Sequence, residues 1–216
     1  MRKVVLLAAA VMLAAPAFAE FVGNADKSSA PIYEAQLVGD RADYNGTAYS
    51  NMTLGTNYSV SATGAVVSVD DYTSVVAPAD TILMSTFKFV GGVANAGEVL
   101  FFTFFDSSGS YVDSFGAQFS QGGNFVWTVT LSTPFAVANS GYVQMWADDG
   151  SVLVTSTGSW FMTTDAPTIG TTGTAYPGYT TSGGAYLDHK FEINSIPEPA
   201  TIGLLGLSVL ALVRRR

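Results

Sequence analysis

The chain has 216 residues, no cysteine, a single histidine (His189) and a formal net charge of −8. The absence of cysteine excludes a disulfide framework, a thiolate zinc site and a cysteine nucleophile, and one histidine excludes a multi-histidine metal centre. Residues 20–196 hold sixteen acidic but only four basic side chains, so this part of the chain is expected to repel nucleic acid rather than bind it.

Residues 1–19 have the three parts of a secretory signal. Arg2-Lys3 is the charged start, an apolar run follows over Val4–Ala15, and Ala17 and Ala19 are the small residues that a signal peptidase recognises. The alternative is an N-terminal membrane anchor. However, the twelve apolar residues of the run would cover only about 18 Å as a helix, against a hydrocarbon core of about 30 Å. We therefore expect cleavage after Ala19 and export of the chain.

The first part of the exported chain contains weak strand signals. Small polar residues over 20–31 predict a flexible leader. Ile32–Leu37 alternates between apolar and polar side chains, which predicts a strand. Residues 39–58 are rich in Gly, Asn, Asp and Tyr, which indicates a loop or a weak strand. A β-branched run over 58–69 is interrupted at Gly64 and predicts a hairpin.

The centre of the chain has the clearest strand signals. Val99–Phe105 is apolar on both faces, as expected of a strand in the middle of a packed sheet. Asn124–Leu131 carries apolar residues at every second position. Gly91-Gly92 is expected to end the strand that precedes them. Strands are predicted here over 82–90, 99–105, 111–119, 124–131 and 142–147. The side chains predicted to be buried in the core are Phe101, Phe102, Phe104, Trp127 and Val129.

Strands and turn signals continue to alternate in the C-terminal half. Asp148-Asp149-Gly150 predicts a turn, and the Gly and Pro residues over 164–184 argue against a regular element there. About ten short strands, with turns roughly every ten residues, are typical of a β-sandwich or jelly roll. We therefore predict an all-β domain over 32–195 with a jelly-roll-like β-sandwich fold. Its last strands are expected over 152–155, 160–163 and 186–193.

Few residues are candidates for catalysis or metal binding. His189 shares a strand face with apolar neighbours, which indicates a core or edge histidine whose hydrogen bonds are satisfied. A Ser–His–Asp arrangement stays open, although no Gly-x-Ser-x-Gly elbow occurs. Asp70-Asp71 and Asp148-Asp149 are adjacent pairs, for which turns are the expected role. The alternative is calcium bound by loop oxygens, with Asp148 and Asp149 as the candidate ligands.

The loop over 170–184 carries two tyrosines that are candidates for ligand contact. Tyr176 and Tyr179 lie among Gly, Thr and Pro residues. Exposed tyrosines on such a loop can stack on sugar rings and bond to sugar hydroxyls. The alternative is that both rings cover the edge of a sheet.

Residues 196–216 form a tail in three parts. Pro197-Glu198-Pro199 keeps the chain extended, an almost wholly apolar run follows over 200–213, and Arg214, Arg215 and Arg216 end the sequence. A helix of the fourteen residues over 200–213 would span about 21 Å, which is short for a permanent anchor. The arginines would hold that end in the cytoplasm, so the body of the chain would lie outside.

This tail resembles the PEP-CTERM sorting signal of Gram-negative bacteria, also called the ice-binding protein C-terminal domain. The matching features are the triplet Pro197, Glu198 and Pro199, the apolar run and the terminal arginines. The resemblance implies recognition by an exosortase, a membrane protease that cuts near the triplet, after a transient stage in the inner membrane. It also implies delivery to the cell surface or to the secreted matrix of a biofilm-forming bacterium.

Together these patterns predict an exported surface or matrix protein without catalytic activity. The alternative is a secreted carbohydrate-binding module with extracellular polysaccharide as its partner and calcium as a possible aid. A hydrolase is the third hypothesis, and no convergent set of catalytic residues in the sequence favours it. No cofactor other than calcium is expected.

Overall fold

The computed structural model describes residues 30–37, 46–53, 55, 57–75, 81–147, 156–174, 176 and 178–196. Several predicted features lie outside these residues. They are the signal at 1–19, nearly all of the leader, the Asp148-Asp149-Gly150 turn, the strand over 152–155, and the tail from Pro197 to Arg216.

Thirteen strands and no helix occur among the described residues, which confirms the prediction of an all-β fold. No helix able to cross a membrane is present in this part of the chain. The strands, in chain order, are β1 (Ile32–Leu37), β2 (Thr47–Ser50), β3 (Tyr58–Thr63), β4 (Val66–Thr73), β5 (Thr81–Val93), β6 (Val99–Asp106), β7 (Tyr111–Phe119), β8 (Gly123–Ala138), β9 (Ser140–Trp146), β10 (Thr157–Thr163), β11 (Tyr179–Thr180), β12 (Tyr186–His189) and β13 (Phe191–Ser195).

The strands form one open mixed sheet rather than two separate ones. Its order is β11-β12-β10-β5-β8-β1-β7-β6-β9-β4, while β13 pairs with β5 and β2, and β3 pairs with β10. The β1–β7 pair is parallel, and β1 is antiparallel to β8 on its other side. The long strands β5 and β8 pair over almost their whole length. The jelly-roll connectivity of our prediction is therefore not confirmed.

The sheet curls around an aromatic core. Strands β8 and β1 separate β5 from β7 in the strand order, yet the Phe87 ring of β5 lies 5.7 Å from that of Phe115 in β7. The same ring lies 4.8 Å from Phe102 in β6 and 5.9 Å from Phe191 in β13. Strand β13 is paired with β5, but β6 and β7 are not. The contacts with Phe102 and Phe115 therefore join distant strands, because inward-facing aromatic rings are large enough to fill the space between the two halves of the sheet.

The predicted core is confirmed. All five side chains that we expected to be buried are at most 2% exposed: Phe101, Phe102, Phe104, Trp127 and Val129. Strand β6 lies between β7 and β9, as its two apolar faces predicted. Phe102 and Phe104 belong to the main core, whereas Phe101 packs with Val99 and Trp146 in a second cluster.

Two local predictions around glycines are wrong. The strands on either side of Gly64 do not form a hairpin, because β3 pairs with β10 and β4 pairs with β9. Strand β5 does not end at Gly91-Gly92 but continues through both residues. A Cβ atom at Gly91 would lie 2.1 Å from the carbonyl oxygen of Ser159 in β10. Glycine is therefore needed here for close strand approach, and not for a turn.

Two other segments match the sequence pattern in part. The segment 39–58 contains the short strand β2, whose Ala48 and Tyr49 are fully buried against β13. The predicted last strand is divided at Lys190 into β12 and β13. Apart from Tyr186, both halves are largely buried, and β12 pairs with β10 while β13 pairs with β5.

Candidate functional site

Asp70 and Asp71 lie inside strand β4 and not in the turn that we predicted. Opposite them in β9 are Val143 and Tyr142. The Asp70 side chain is fully buried, and its two oxygens accept the backbone N–H groups of His189 at 2.6 Å and of Asp71 at 2.9 Å. A buried carboxylate is tolerated here because N–H donors satisfy it.

The bond between Asp70 and His189 joins the two ends of the open sheet. Strand β4 is last in the strand order, and β12, which holds His189, is second. Burial, followed by the charge of Asp188, raises the pKa of Asp70 well above its usual range, although the bond from His189 opposes this. The first role of Asp70 is therefore structural, at the junction where the curled sheet meets itself.

A loop over 164–174 closes this junction from outside. Thr171 exchanges two backbone hydrogen bonds of 2.8 Å with Thr73 in β4. Asp71 Oδ2 accepts the backbone N–H of Gly173 at 2.6 Å. Gly170 has a φ of +82°, and a Cβ atom there would lie 2.4 Å from the Thr73 carbonyl oxygen. Glycine at 170 is required for this close fit.

Between this loop and β12 lies a cavity of about 490 Å³. Its wall carries hydroxyl groups, one half-exposed aromatic ring and one carboxylate. The Thr172 hydroxyl donates to Asp188 Oδ1 at 3.5 Å. Burial, and then the charge of Asp71, raise the pKa of Asp188 to about 6. The lining includes Thr164, Thr171, Thr172, Thr174, Tyr186 and Asp188.

His189 is a core residue, but its ring nitrogens are not satisfied as we expected. The ring is fully buried and stacks on Trp160 with centroids 4.0 Å apart. Neither ring nitrogen has a hydrogen-bond partner among the described residues. Burial lowers the pKa of His189 to about 3, so the imidazole is neutral. Asp70 bonds to the backbone of His189 and not to its ring, which differs from a catalytic triad.

The two tyrosines predicted for ligand contact lie next to the cavity and do not line it. The ring of Tyr176 stands edge-on to that of Tyr142 in β9, with centroids 5.1 Å apart. Tyr179 lies in β11, paired with Leu187. Tyr186, which is 49% exposed, is the tyrosine that lines the cavity. The ligand role of Tyr176 and Tyr179 remains a prediction.

The basic side chains of the described residues are engaged in structural contacts. Lys88 forms an ion pair of 2.8 Å with Glu192. Lys190 donates to the backbone oxygen of Thr53 at 2.9 Å and to Asn57 Oδ1. Neither lysine lines the cavity. The cavity wall is consequently neutral or acidic and offers no cation to an anionic ligand.

No group of three or more His, Asp or Glu side chains suited to a metal ion occurs among the described residues. The calcium candidates Asp148 and Asp149 lie outside them. Of the three carboxylates near the cavity, Asp70 and Asp71 accept backbone N–H groups. Calcium at the Asp148-Asp149 turn remains a prediction.

Comparison with known proteins bears on the C-terminal tail. Residues 195–216 match the family model of the PEP-CTERM protein-sorting motif. No curated protein and no solved structure matches the chain. The motif begins at the last residue of β13, so the sorting signal follows directly on the folded sheet. The chain thus carries a PEP-CTERM protein-sorting motif at residues 195–216, as its sequence led us to expect, and this motif marks an exported protein that an exosortase processes.

Proposed function

We propose that this chain is an exported, exosortase-processed protein of the cell surface or extracellular matrix, with a β-domain that has no catalytic activity. The observation that carries the proposal is the sorting motif at residues 195–216. The secretory pattern of residues 1–19 supports it, because export by signal peptidase cleavage must precede sorting from outside the cytoplasm. The apolar run over 200–213 would hold the chain in the inner membrane until an exosortase removes it.

The lack of catalytic activity is supported by the way in which the β-domain uses its reactive side chains. The sole histidine is stacked on Trp160 in the core. Asp70 and Asp71 accept backbone N–H groups that hold the sheet and its covering loop together. Asp70 and Asp71 therefore have structural contacts, which are typical of a binding or structural domain.

Processing is tested by intact-mass spectrometry of the protein from a host that has an exosortase. We expect a mature chain that starts at Glu20 and lacks the tail beyond the PEP triplet, since each terminal apolar run lies next to a cleavage signal. A variant with Pro197, Glu198 and Pro199 replaced by alanine should keep its tail but still lose residues 1–19. A wild-type chain of 216 residues recovered intact from the envelope would contradict the proposal.

A second candidate function is carbohydrate binding at the cavity beside β12. The favouring observation is the combination of Tyr186, threonine hydroxyls and Asp188 in one wall. An aromatic ring beside hydroxyl and carboxylate groups can stack on a sugar and bond to its hydroxyls. The ligand would be a neutral polysaccharide, because the cavity contains no basic side chain.

Glycan-array binding of the full chain, with and without calcium, tests this candidate. Tyr186→Ala should weaken binding by about tenfold, as expected for the loss of one stacking contact of about 1.4 kcal/mol. Tyr111→Ala is the matched control, because Tyr111 is also exposed (40%) but lies outside the cavity. Equal loss in both variants, or no glycan bound in either condition, would rule out this cavity as a carbohydrate site.

A further inference from the structure

The strand register shows where the chain leaves the sheet on its way to the sorting motif. Ser195, the last residue of β13, pairs with Met84 in β5, and Met84 pairs with Phe135 in β8. At the other end of the same ladder, Val93 pairs with Gly123. We call the end of the sheet that holds Ser195 the tail end, and the end that holds Val93 the far end.

The tail end also presents exposed apolar side chains. Thr81 pairs with Ala138 and Thr73 with Ser140, so the segment after β4 lies at this end. Val75 in that segment is 65% exposed. Tyr111, at the start of β7, is 40% exposed beside the β6–β7 turn. Tyrosine is enriched where proteins meet the membrane–water interface.

The connection between the sheet and the apolar run is short. The Ile196 N–H donates to the Leu83 carbonyl oxygen at 3.0 Å, which fixes the end of the folded sheet. Only Pro197, Glu198 and Pro199 separate Ile196 from the run that starts at residue 200. Even a fully extended chain would cover only about 14 Å between the Cα atoms of Ile196 and Ala200. Headgroup layers are about 5–8 Å thick on each side, so the tail end would have to lie close to the bilayer.

We propose that the membrane-held form of the protein stands on the bilayer with its tail end, and that Val75 and Tyr111 contact zwitterionic lipid headgroups. The proposal rests on the proposed function, because it requires that the apolar run enters the membrane. The partner is zwitterionic because residues 20–196 carry a large excess of acidic side chains and would be repelled by anionic lipid.

The contact stays at headgroup depth, because the adjacent turn contains Asp106, which accepts the N–H groups of Ser108 and Ser110. The far end, with the exposed Phe125 and Val126, points away from the membrane.

Fluorescent labels at the two ends test this orientation. The natural chain has no cysteine, so Ser107→Cys and Ser120→Cys each create a single site. Both are exposed serines in turns, one after β6 at the tail end and the other after β7 at the far end. The full chain, labelled with an environment-sensitive dye, is reconstituted in phosphatidylcholine vesicles that contain a headgroup-attached quencher.

We expect quenching at position 107 to exceed that at position 120 by a factor on the order of three or more, because the nine residues of β7 separate the ends by about 30 Å. Adding Val75→Ser and Tyr111→Ser should lower the quenching at position 107. Equal quenching, or stronger quenching at position 120, in chains that float with the vesicles would overturn the orientation alone. Chains that do not float with the vesicles would overturn membrane anchoring, and the orientation with it.

Discussion

Replacing Trp127 by alanine is expected to lower the free energy of unfolding by about 3–5 kcal/mol. The Trp127 side chain is fully buried, and its ring stands edge-on to Phe119 with centroids 4.9 Å apart. Its indole N–H donates to the carbonyl oxygen of Gly91 at 3.0 Å. Alanine would leave a large cavity and remove the partner of that carbonyl, and both changes are costly in a core. The loss is large against a typical total stability of about 5–15 kcal/mol.

Urea unfolding monitored by circular dichroism measures this effect. Trp127→Phe should cost less, because it keeps an aromatic ring but removes the bond to Gly91. Val126→Ala is the control on the same strand, since Val126 is 37% exposed, and we expect a change below about 1 kcal/mol. A similarly small change for Trp127→Ala would mean that this ring does not lie in the core.

Burial of the central strands was predictable because the pattern that specifies it is local. Val99–Phe105 and the residues around Trp127 carry their apolar side chains at strand spacing, and burial follows from that spacing alone. Strand pairing depends on distant parts of the chain. Nothing near Gly64 in the sequence shows that β3 pairs with β10, whose residues lie about a hundred positions later. The predicted hairpin failed for this reason.

The position of Asp70 was missed because its partner is distant in the sequence. The His189 N–H that it accepts lies 119 positions later, so the adjacent pair of acids looked like a turn. A signal was nevertheless present. Val66, Val67, Val69 and Tyr72 surround the pair, and an acidic residue within such a run is more consistent with a buried, hydrogen-bonded strand position than with a turn.

The cavity shows the same limit of local patterns. The position of Tyr176 and Tyr179 in a loop rich in Gly and Thr favours them as ligand-contacting residues. The pattern around Tyr186 predicts only a strand, although Tyr186 is the tyrosine that lines the cavity. The cavity forms only because the loop over 164–174 returns to pair with Thr73 in β4, and that contact has no signature in either segment.

Removing the imidazole of His189 is expected to protect the protein against acid. Burial lowers the pKa of His189 to about 3, from an ordinary value of 6.5. As the pH falls below 6.5, the unfolded chain binds a proton at this position and the folded chain does not, so the free energy of unfolding decreases until about pH 3. At pH 4 this loss should amount to about 3 kcal/mol, because each pH unit contributes about 1.4 kcal/mol.

The carboxyl groups near the cavity act in the opposite direction. Burial raises the pKa of Asp70, Asp71 and Asp188. For Asp188, whose pKa is about 6, the folded chain binds the proton first as the pH falls. Its contribution to stability is present in full below its ordinary pKa of 3.8 and is lost as the pH rises toward 6. The wild-type pH profile therefore sums opposing effects and does not isolate the histidine.

The difference between wild type and His189→Phe at each pH isolates it. Phenylalanine keeps an aromatic ring against Trp160 but cannot titrate, and His189→Gln serves as a second non-titrating variant of different shape. Urea unfolding at pH 7, 6, 5 and 4 should show both variants gaining stability relative to wild type as the pH falls, whatever their offset at pH 7. Asp188→Asn should show the reverse, losing stability relative to wild type over the same range.

If the curves of wild type and both His189 variants stay parallel between pH 7 and 4, the imidazole is protonated inside the fold. In that case a partner must stabilise its charge, because an unpaired imidazolium would be too costly in a core of aromatic rings.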